Sequence, residues 1–254
     1  MSELQIFNTL VSAYPIIAAL IALAVLFITP PYGRHNANKP LWGPQISSRA
    51  GWLIMEAPAS LAPLALLAIS KRYDLVVCVF MAIWQIHYIN RSFIFPFRRR
   101  GGVTNMPVSI VLMGLTFNVV NTYVNWRYLT HFALPYPQSW LLDPRFLIGC
   151  VLFFAGLAIN QHADWVLINL RKPGEKGYKI PHGGLYRFIS CPNFFGEMLE
   201  WTGWAIATWS MAGLGFALWT AANLVPRALA HHRDYRTRFS NYPQNRRAVL
   251  PFVL

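Results

Sequence analysis

Charge is scarce in this chain. Asp, Glu, Lys and Arg make up 12% of its 254 residues, about half the share of an ordinary soluble domain. No charged residue lies between Glu3 and Arg34, Arg100 and Arg127, Arg145 and Asp164, or Glu200 and Arg227. Two further windows, 50–70 and 75–97, hold one charge each, Glu56 and Arg91. A soluble helix would interleave a polar face through such stretches, so a soluble fold is excluded. Cysteine is also rare. Cys78, Cys150 and Cys191 are odd in number and form neither a disulfide framework nor a ligand spacing, so no metal is expected. A G-x-G-x-x-G turn is missing, as are internal repeats and low-complexity linkers, and the longest loop, 164–193, has 30 residues. A separate Rossmann domain does not fit. Any ligand site must be built within the apolar bundle and its loops.

What is present is a set of apolar windows, each able to hold the roughly 20 residues that cross a bilayer. The low-charge region 194–230 is 37 residues long, too long for one span, and a turn near Ser210–Gly213 divides it. The expected fold is all-α and integral to the membrane, a single domain of seven spans near 7–29, 51–70, 74–97, 107–127, 144–163, 194–210 and 215–235. With seven spans, 17 Lys and Arg fall on one side and 4 on the other, Arg91 lying within a span. The positive-inside rule then puts the N-terminus outside and the C-terminus in the cytoplasm. The first apolar run has an acidic start, Glu3, and no basic n-region, and reads as a retained span rather than a cleaved signal. The net charge of +13 is accounted for by cytoplasmic loops beside anionic headgroups. Membrane lipid is an expected partner and nucleic acid is not.

Polar groups within such helices are expensive and tend to mark function. Residues four apart share a helix face. Asn160 and Asp164 are so spaced at the end of the fifth span, Asn193, Glu197 and Trp201 run into the sixth, and Arg227, His231 and Tyr235 close the seventh. Three helices thus present polar rows at one cytoplasmic depth, which reads either as a lined cavity or as an interhelical hydrogen-bond network. The adjoining loop 170–181 combines glycines with Arg171, Lys172 and Lys179, a composition suited to phosphate groups, although cytoplasmic loops are basic in any case.

Earlier in the chain, Glu56 sits near the start of the second span, and Tyr88 and Arg91 lie one turn apart on the third. Arg91 reads equally as a ligand contact or as a structural anchor that snorkels to the interface. Desolvation disfavours an ionised Glu56. A neutral carboxylic acid beside a phenol offers two donors in an apolar pocket, a pair suited to a carbonyl oxygen that gains negative charge.

These residues, with the stretches around them, resemble the steroid 5α-reductase family over nearly the whole chain. The matching stretches are Tyr32-Gly-Arg-His35, Arg49-Ala-Gly-Trp52 leading to Glu56, His87-Tyr88 with Arg91, Arg99-Arg-Gly-Gly102 and Asp143-Pro-Arg-Phe-Leu-Ile-Gly149. They continue through Ile159-Asn-Gln-His162, Leu170-Arg-Lys-Pro-Gly174, Tyr178-Lys-Ile-Pro181 and Ser190-Cys-Pro-Asn-Phe-Phe-Gly-Glu197 to His231-His232 and the closing Pro-Phe-Val-Leu. The resemblance implies an NADPH-dependent 3-oxo-5α-steroid 4-dehydrogenase, with NADPH as cofactor and a 3-oxo-Δ4-steroid as substrate. It implies that residues 1–140 form most of the steroid side and 141–254 the nucleotide side. Glu56 and Tyr88 would grip the 3-keto group. The cofactor would be held by Asn160, Asp164, Arg171, Tyr178, Asn193, Glu197, Arg227, His231 and Tyr235, with Arg91, Arg100 and Lys179 contributing. Tyr32, Trp52, Met55 and Trp201 would line the substrate. The expected protein is a monomer in the cytoplasmic membrane of a bacterium or the endoplasmic reticulum of a eukaryote, its nucleotide site facing the cytoplasm.

Two features depart from the family pattern. Met55 stands where the animal enzymes have Gln, and Thr104-Asn105 reads as an insertion. Two competing readings also stand. A membrane methyltransferase of the isoprenylcysteine or phospholipid type shares a Pro-Asn/His-x-x-Gly-Glu stretch and a basic tail, but methyl transfer gives no reason for Glu56 and Tyr88. A receptor or transporter would be expected to show duplicated halves, and none is visible.

Overall fold

Each of the seven apolar windows falls on a helix. The computed structural model describes residues 1–28, 42–98, 104–172, 175 and 177–254. Its helices are α1 (Glu3–Phe27), α2 (Ser48–Ser70), α3 (Leu75–Ile89), the short α4 (Phe95–Arg98), α5 (Val108–Arg127), α6 (Pro144–Asn169), α7 (Pro192–Thr208) and α8 (Met211–Arg238). Among the described residues, four helical stretches are long and apolar enough to cross a membrane: Glu3–Phe27, Ser48–Ser70, Val108–Phe132 and Pro144–Asn169. That fits an all-helical, multi-pass membrane protein. The other three fall short for separate reasons. α3 has 15 residues and α7 has 17. α8 has 28 but carries Arg227, Arg233, Asp234, Arg236 and Arg238 in its second half.

The chain divides into two compact units, Met1–Val11 with Pro30–Asp143, and Ser12–Thr29 with Pro144–Leu254. In the first, a two-stranded antiparallel ribbon, β1 (Gln45–Ser47) with β2 (Asn105–Pro107), sets Ile46 opposite Met106. Ser48 N–H donates to the Thr104 carbonyl at 2.7 Å and Val108 N–H to Pro44 at 2.9 Å, so α2 and α5 start from one fixed point. Lys71, in the left-handed conformation at φ 53°, ends α2. Asp74 caps α3 by accepting from Val77 N–H at 3.2 Å, satisfying a donor that the first helical turn leaves without a partner. α3 then widens into a π-turn, Asn90–Ile94, before α4. Pro96 has no N–H to give the Ser92 carbonyl, and the helix widens in the turn ahead of it.

In the second unit α6 and α7 touch backbone to backbone. A Cβ at Gly156 would strike the Glu200 nitrogen and the Gly196 carbonyl, and one at Gly203 would strike Phe153 N and Gly149 O. Gly149 and Gly156 on one helix, Gly196 and Gly203 on the other, are seven residues, or two turns, apart and so meet on one shared face. Small residues permit this approach where apolar side chains gain nothing from leaving lipid. Trp209, left-handed at φ 45°, breaks the chain between α7 and α8. Ser210 caps α8 by accepting from Gly213 N–H at 3.0 Å, which places the break at the start of the turn expected near 210–213. The C-terminal segment returns alongside residues 188–191. Arg247 N–H donates to Phe188, Ser190 N–H to Arg247 and Cys191 N–H to Ala248.

Candidate functional site

Two polar centres are built on these helices, one in each unit. In the first, α2 and α3 are fastened by side chains reaching backbone carbonyls. Trp84 Nε1 donates to Ala59 O at 2.7 Å, Gln85 Nε2 to Ser60 O at 2.7 Å, and Ser60 Oγ to Gln85 Oε1 at 2.8 Å. One turn past Tyr88, Ser92 Oγ donates to the Glu56 carbonyl at 2.9 Å. Tyr88 lies between these fastenings on α3, in register with the turn of α2 that begins at Glu56. It is buried, with its ring against Trp84 at 4.8 Å and His87 at 4.9 Å between centroids.

Glu56 is half-buried, and the residue that orients it comes from α5. Asn118 Nδ2 donates to the Met55 carbonyl at 2.6 Å and to Glu56 Oε2 at 3.2 Å. A carbonyl can only accept, so the first bond settles which end of the amide is nitrogen. The second bond then makes Oε2 an acceptor. Asn118 is 4% exposed, so its orientation is not shared with bulk water. Sequence reasoning missed it, although Asn118, Asn121 and Asn125 form a recognisable polar stripe at helical spacing within an uncharged span. Asn125 Nδ2 donates to Asn121 Oδ1 at 3.0 Å.

Arg91 lies in the π-turn, with its guanidinium 4.7 Å from the Trp52 ring centre and 5.1 Å from that of Phe95. Trp52 Nε1 donates to the Arg91 carbonyl at 3.0 Å. The π-turn therefore aims Arg91 into an aromatic sandwich, an arrangement that favours a cation held out of water; such turns are common at functional sites. Met55 is buried in a cluster with Met106, Ile110 and Val111, with Trp52 packed against it. Tyr32 and Arg100 lie outside the described residues.

In the second unit the glycine contact brings the expected rows together. Asn160 Nδ2 donates to the Asn193 carbonyl at 3.0 Å, and Asn193 Nδ2 donates to Asp164 Oδ1 at 3.1 Å. Asn160 and Asp164 are buried. The third row joins through Phe194, whose ring lies 5.1 Å from the Arg227 guanidinium and 5.7 Å from the His231 ring. Glu197 is half-buried on the same helix. Tyr235 is buried and stacked on Tyr242 at 5.2 Å. Trp201 is fully enclosed between Phe153 and Phe216.

The loop after α6 is partly committed to its own structure. Lys179 Nζ donates to Glu175 Oε2 at 2.5 Å and Lys172 N–H to the same oxygen at 2.8 Å. The Lys179 contact and that N–H hold the Glu175 carboxyl below the usual carboxylate range. Arg171 Nη1 reaches the Gly177 carbonyl at 3.4 Å. Tyr178 lies under the Arg238 guanidinium at 4.6 Å. Two further features escaped the sequence reading. Ser190 Oγ bonds both His232 Nδ1 and Tyr242 Oη at 2.6 Å, and Arg246 is buried.

Apolar helices long enough to cross a bilayer, carrying such groups, fit a multi-pass membrane protein. Comparison with known proteins narrows that class. A family profile described as 3-oxo-5-alpha-steroid 4-dehydrogenase matches residues 104–254. The chain is 39% identical to steroid 5-alpha-reductase DET2 of Gossypium hirsutum, with 99% of each chain covered. It is 40% identical to 3-oxo-5-alpha-steroid 4-dehydrogenase 1 of Rattus norvegicus, over 100% of this chain and 98% of that one. With the Homo sapiens protein of the same name the identity is 41%, over 87% and 85%. The chain belongs to the steroid 5-alpha-reductase family and is an oxidoreductase. The methyltransferase and receptor readings fall away.

Proposed function

We propose that the chain uses NADPH to reduce the Δ4 double bond of 3-oxo-Δ4-steroids to 5α-dihydrosteroids, with Glu56 and Tyr88 polarising the 3-keto group. The relatives' names support the reaction class. The observation that carries the assignment of residues is the Asn118 amide, pinned by the Met55 carbonyl and donating to Glu56 Oε2, on helices that keep Tyr88 buried in the matching register. A carboxyl oriented in that way offers its proton from the other oxygen. Tyr88 supplies the second donor. Both are aimed at an oxygen whose charge grows as the enone becomes an enolate, and donors fixed beforehand stabilise that charge without reorganising. C4 is protonated afterwards.

The second unit has donors and acceptors of the chemistry a dinucleotide requires. Amides and a carboxylate at Asn160, Asp164 and Asn193 suit hydroxyl and carboxamide groups, and guanidinium groups at Arg171 and Arg227 suit phosphates. Glu197, Tyr178, His231 and Tyr235 complete the proposed set, with Arg91, Arg100 and Lys179 contributing. When bound, NADPH supplies the hydride received at steroid C5. Tyr32, Trp52, Met55 and Trp201 are the proposed substrate contacts. The reading includes seven spans, with the N-terminus outside and the nucleotide groups facing the cytoplasm.

The test uses purified full-length protein with NADPH and a panel of 3-keto enones that includes testosterone, with products identified by mass. The reading predicts 5α-reduced products from the parent protein and sharply slower turnover in Glu56→Gln and Tyr88→Phe, both still folded. If both variants reduce testosterone at the parent rate, the assignment of the donors fails. If no enone is reduced, the reaction itself is wrong.

A further inference from the structure

A cavity of about 660 Å³ opens in the second unit, lined by His182, Gly183, Gly184, Arg187, Phe188 and Arg246 among others. None of its lining residues belongs to the polar rows on α6, α7 and α8, and none is acidic. The turn Gly184–Arg187 that forms one wall is anchored from beneath, because Tyr186 Oη donates to the Ala163 carbonyl at 3.3 Å. Gly183, at φ 94°, has nothing within 4 Å of where a Cβ would stand, so the backbone there is open to close approach by a ligand.

The unusual member is Arg246. It is 4% exposed, and its Nε and Nη1 are buried without a hydrogen-bond partner. Its Nη2 meets His182 Nδ1 at 3.4 Å, and its guanidinium lies 5.2 Å from the Tyr242 ring. Among the described residues it has no carboxylate partner. Arg187 is exposed, and among the described residues its guanidinium has the Phe188 ring beside it, at 5.8 Å. A guanidinium can only donate, so His182 Nδ1 accepts and Nε2 carries that ring's hydrogen. A buried cation with unmatched N–H groups is costly unless an anion joins it. Nε and Nη1 are sealed from the cavity, so Arg246 lends it positive charge rather than a free fork. The reachable fork of Arg187, that charge, an imidazole N–H and the lack of an acid in the lining describe a binding site for a phosphate group. An apolar tip adjoins it. Phe188 packs against Phe252 at 5.4 Å, and Phe252 and Val253 are 76% and 75% exposed. A basic hollow beside exposed apolar side chains suits the interface where headgroup meets acyl chain.

We propose that the Arg187–Arg246 cavity binds a phosphate group, presented by an anionic phospholipid headgroup or by a free phosphate in solution. The test is titration calorimetry on full-length protein in detergent with inorganic phosphate against chloride at equal ionic strength. A second arm measures binding of phosphatidic acid by the same protein in phosphatidylcholine nanodiscs. Binding of phosphatidic acid alone supports the headgroup, binding of inorganic phosphate alone supports the soluble ligand, and binding of both supports the shared site. In each case Arg187→Gln should weaken binding about 10- to 100-fold, the loss expected for one charge-assisted contact. Arg246→Lys, which keeps the charge but loses the fork, should weaken it less; it stands in if Arg246→Gln fails to fold. Binding of neither ligand overturns the proposal. So does binding that Arg187→Gln leaves intact but Arg227→Gln removes, because the anion would then sit at the polar rows.

Discussion

In the first unit separate polar side chains reach across to backbone carbonyls of α2, whereas in the second the helices themselves come into contact and the polar groups form one linked chain. Trp84, Gln85, Ser92 and Asn118 each hold a fixed carbonyl on α2. Such anchors act one at a time, and the loss of one leaves the others in place. The Asn160, Asn193 and Asp164 chain has a different dependence. Its members stand on α6 and α7, and their spacing is inherited from the approach of Gly156 to Gly196. A change in that approach moves all of them together. Substitutions in the first unit should therefore separate chemistry from folding, and substitutions in the second should not.

The largest expected effect is at Tyr88. Removing one donor to a developing oxyanion typically lowers turnover about 10²- to 10³-fold, and Tyr88→Phe leaves the ring packing against Trp84 untouched. Turnover should fall by that order while NADPH affinity and melting temperature stay at parent values. If NADPH affinity falls in parallel, the contrast between the units breaks. Gly156→Val is the opposite case. Overpacking of a tight contact costs about 1–3 kcal/mol, and for a chain of this size each kcal/mol moves the melting temperature by about 2–4 °C. NADPH affinity should drop about tenfold or more along with the melting temperature. Turnover at saturating NADPH should fall less than in Tyr88→Phe. Calorimetric titration of NADPH beside a thermal melt reads both quantities.

The helical character of the apolar windows and the polar rows on them were legible in the sequence because each rests on a local rule. A charge-free window of sufficient length marks a helix, and a spacing of four marks a face. Glu56, Tyr88, Asn160, Asp164 and Asn193 were singled out in that way as candidates, and the last three are joined by hydrogen bonds. Asn118 was not singled out, because it lies in a span searched for charges, while its contacts with the Met55 carbonyl and Glu56 on α2 exist only in the fold. The Gly149, Gly156, Gly196 and Gly203 contacts were missed for a related reason: each glycine is unremarkable until the other helix is brought against it. Arg246 was read as one of several tail cations, and only the fold buries it. The basic loop was only half legible, since its composition gave Lys179 but not that Glu175 already holds it.

Asn118→Leu sharpens the comparison at a smaller scale. Of the two hydrogen bonds it removes, the one to Glu56 is worth about 0.5–1.5 kcal/mol, or roughly 2- to 10-fold in turnover, with NADPH affinity unchanged. Asn118 is proposed to act through Glu56, so Asn118→Leu should have little further effect in a Glu56→Gln background. A double-mutant cycle on turnover measures that coupling, and full additivity would make Asn118 a packing residue only.

The smallest effect is expected at Glu175, where the second unit's polar chemistry reaches the surface. Its carboxyl is held below the ordinary range by Lys179 and the Lys172 N–H, so the contact is present at pH above the usual carboxylate value and is lost as pH falls through the lowered one. Nothing should change between about pH 6 and pH 8, where the group is ionised in both folded and unfolded chains. Glu175→Gln removes the charge at every pH and releases Lys179. An exposed ion pair contributes little, so folding should be unaffected. If Lys179 serves the nucleotide phosphates, its release should tighten NADPH binding about twofold and steepen the dependence on salt. If affinity and salt dependence both stay at parent values, Lys179 belongs to the loop's own structure, and the proposed nucleotide contacts of the second unit are confined to the rows that the glycine pair brings together.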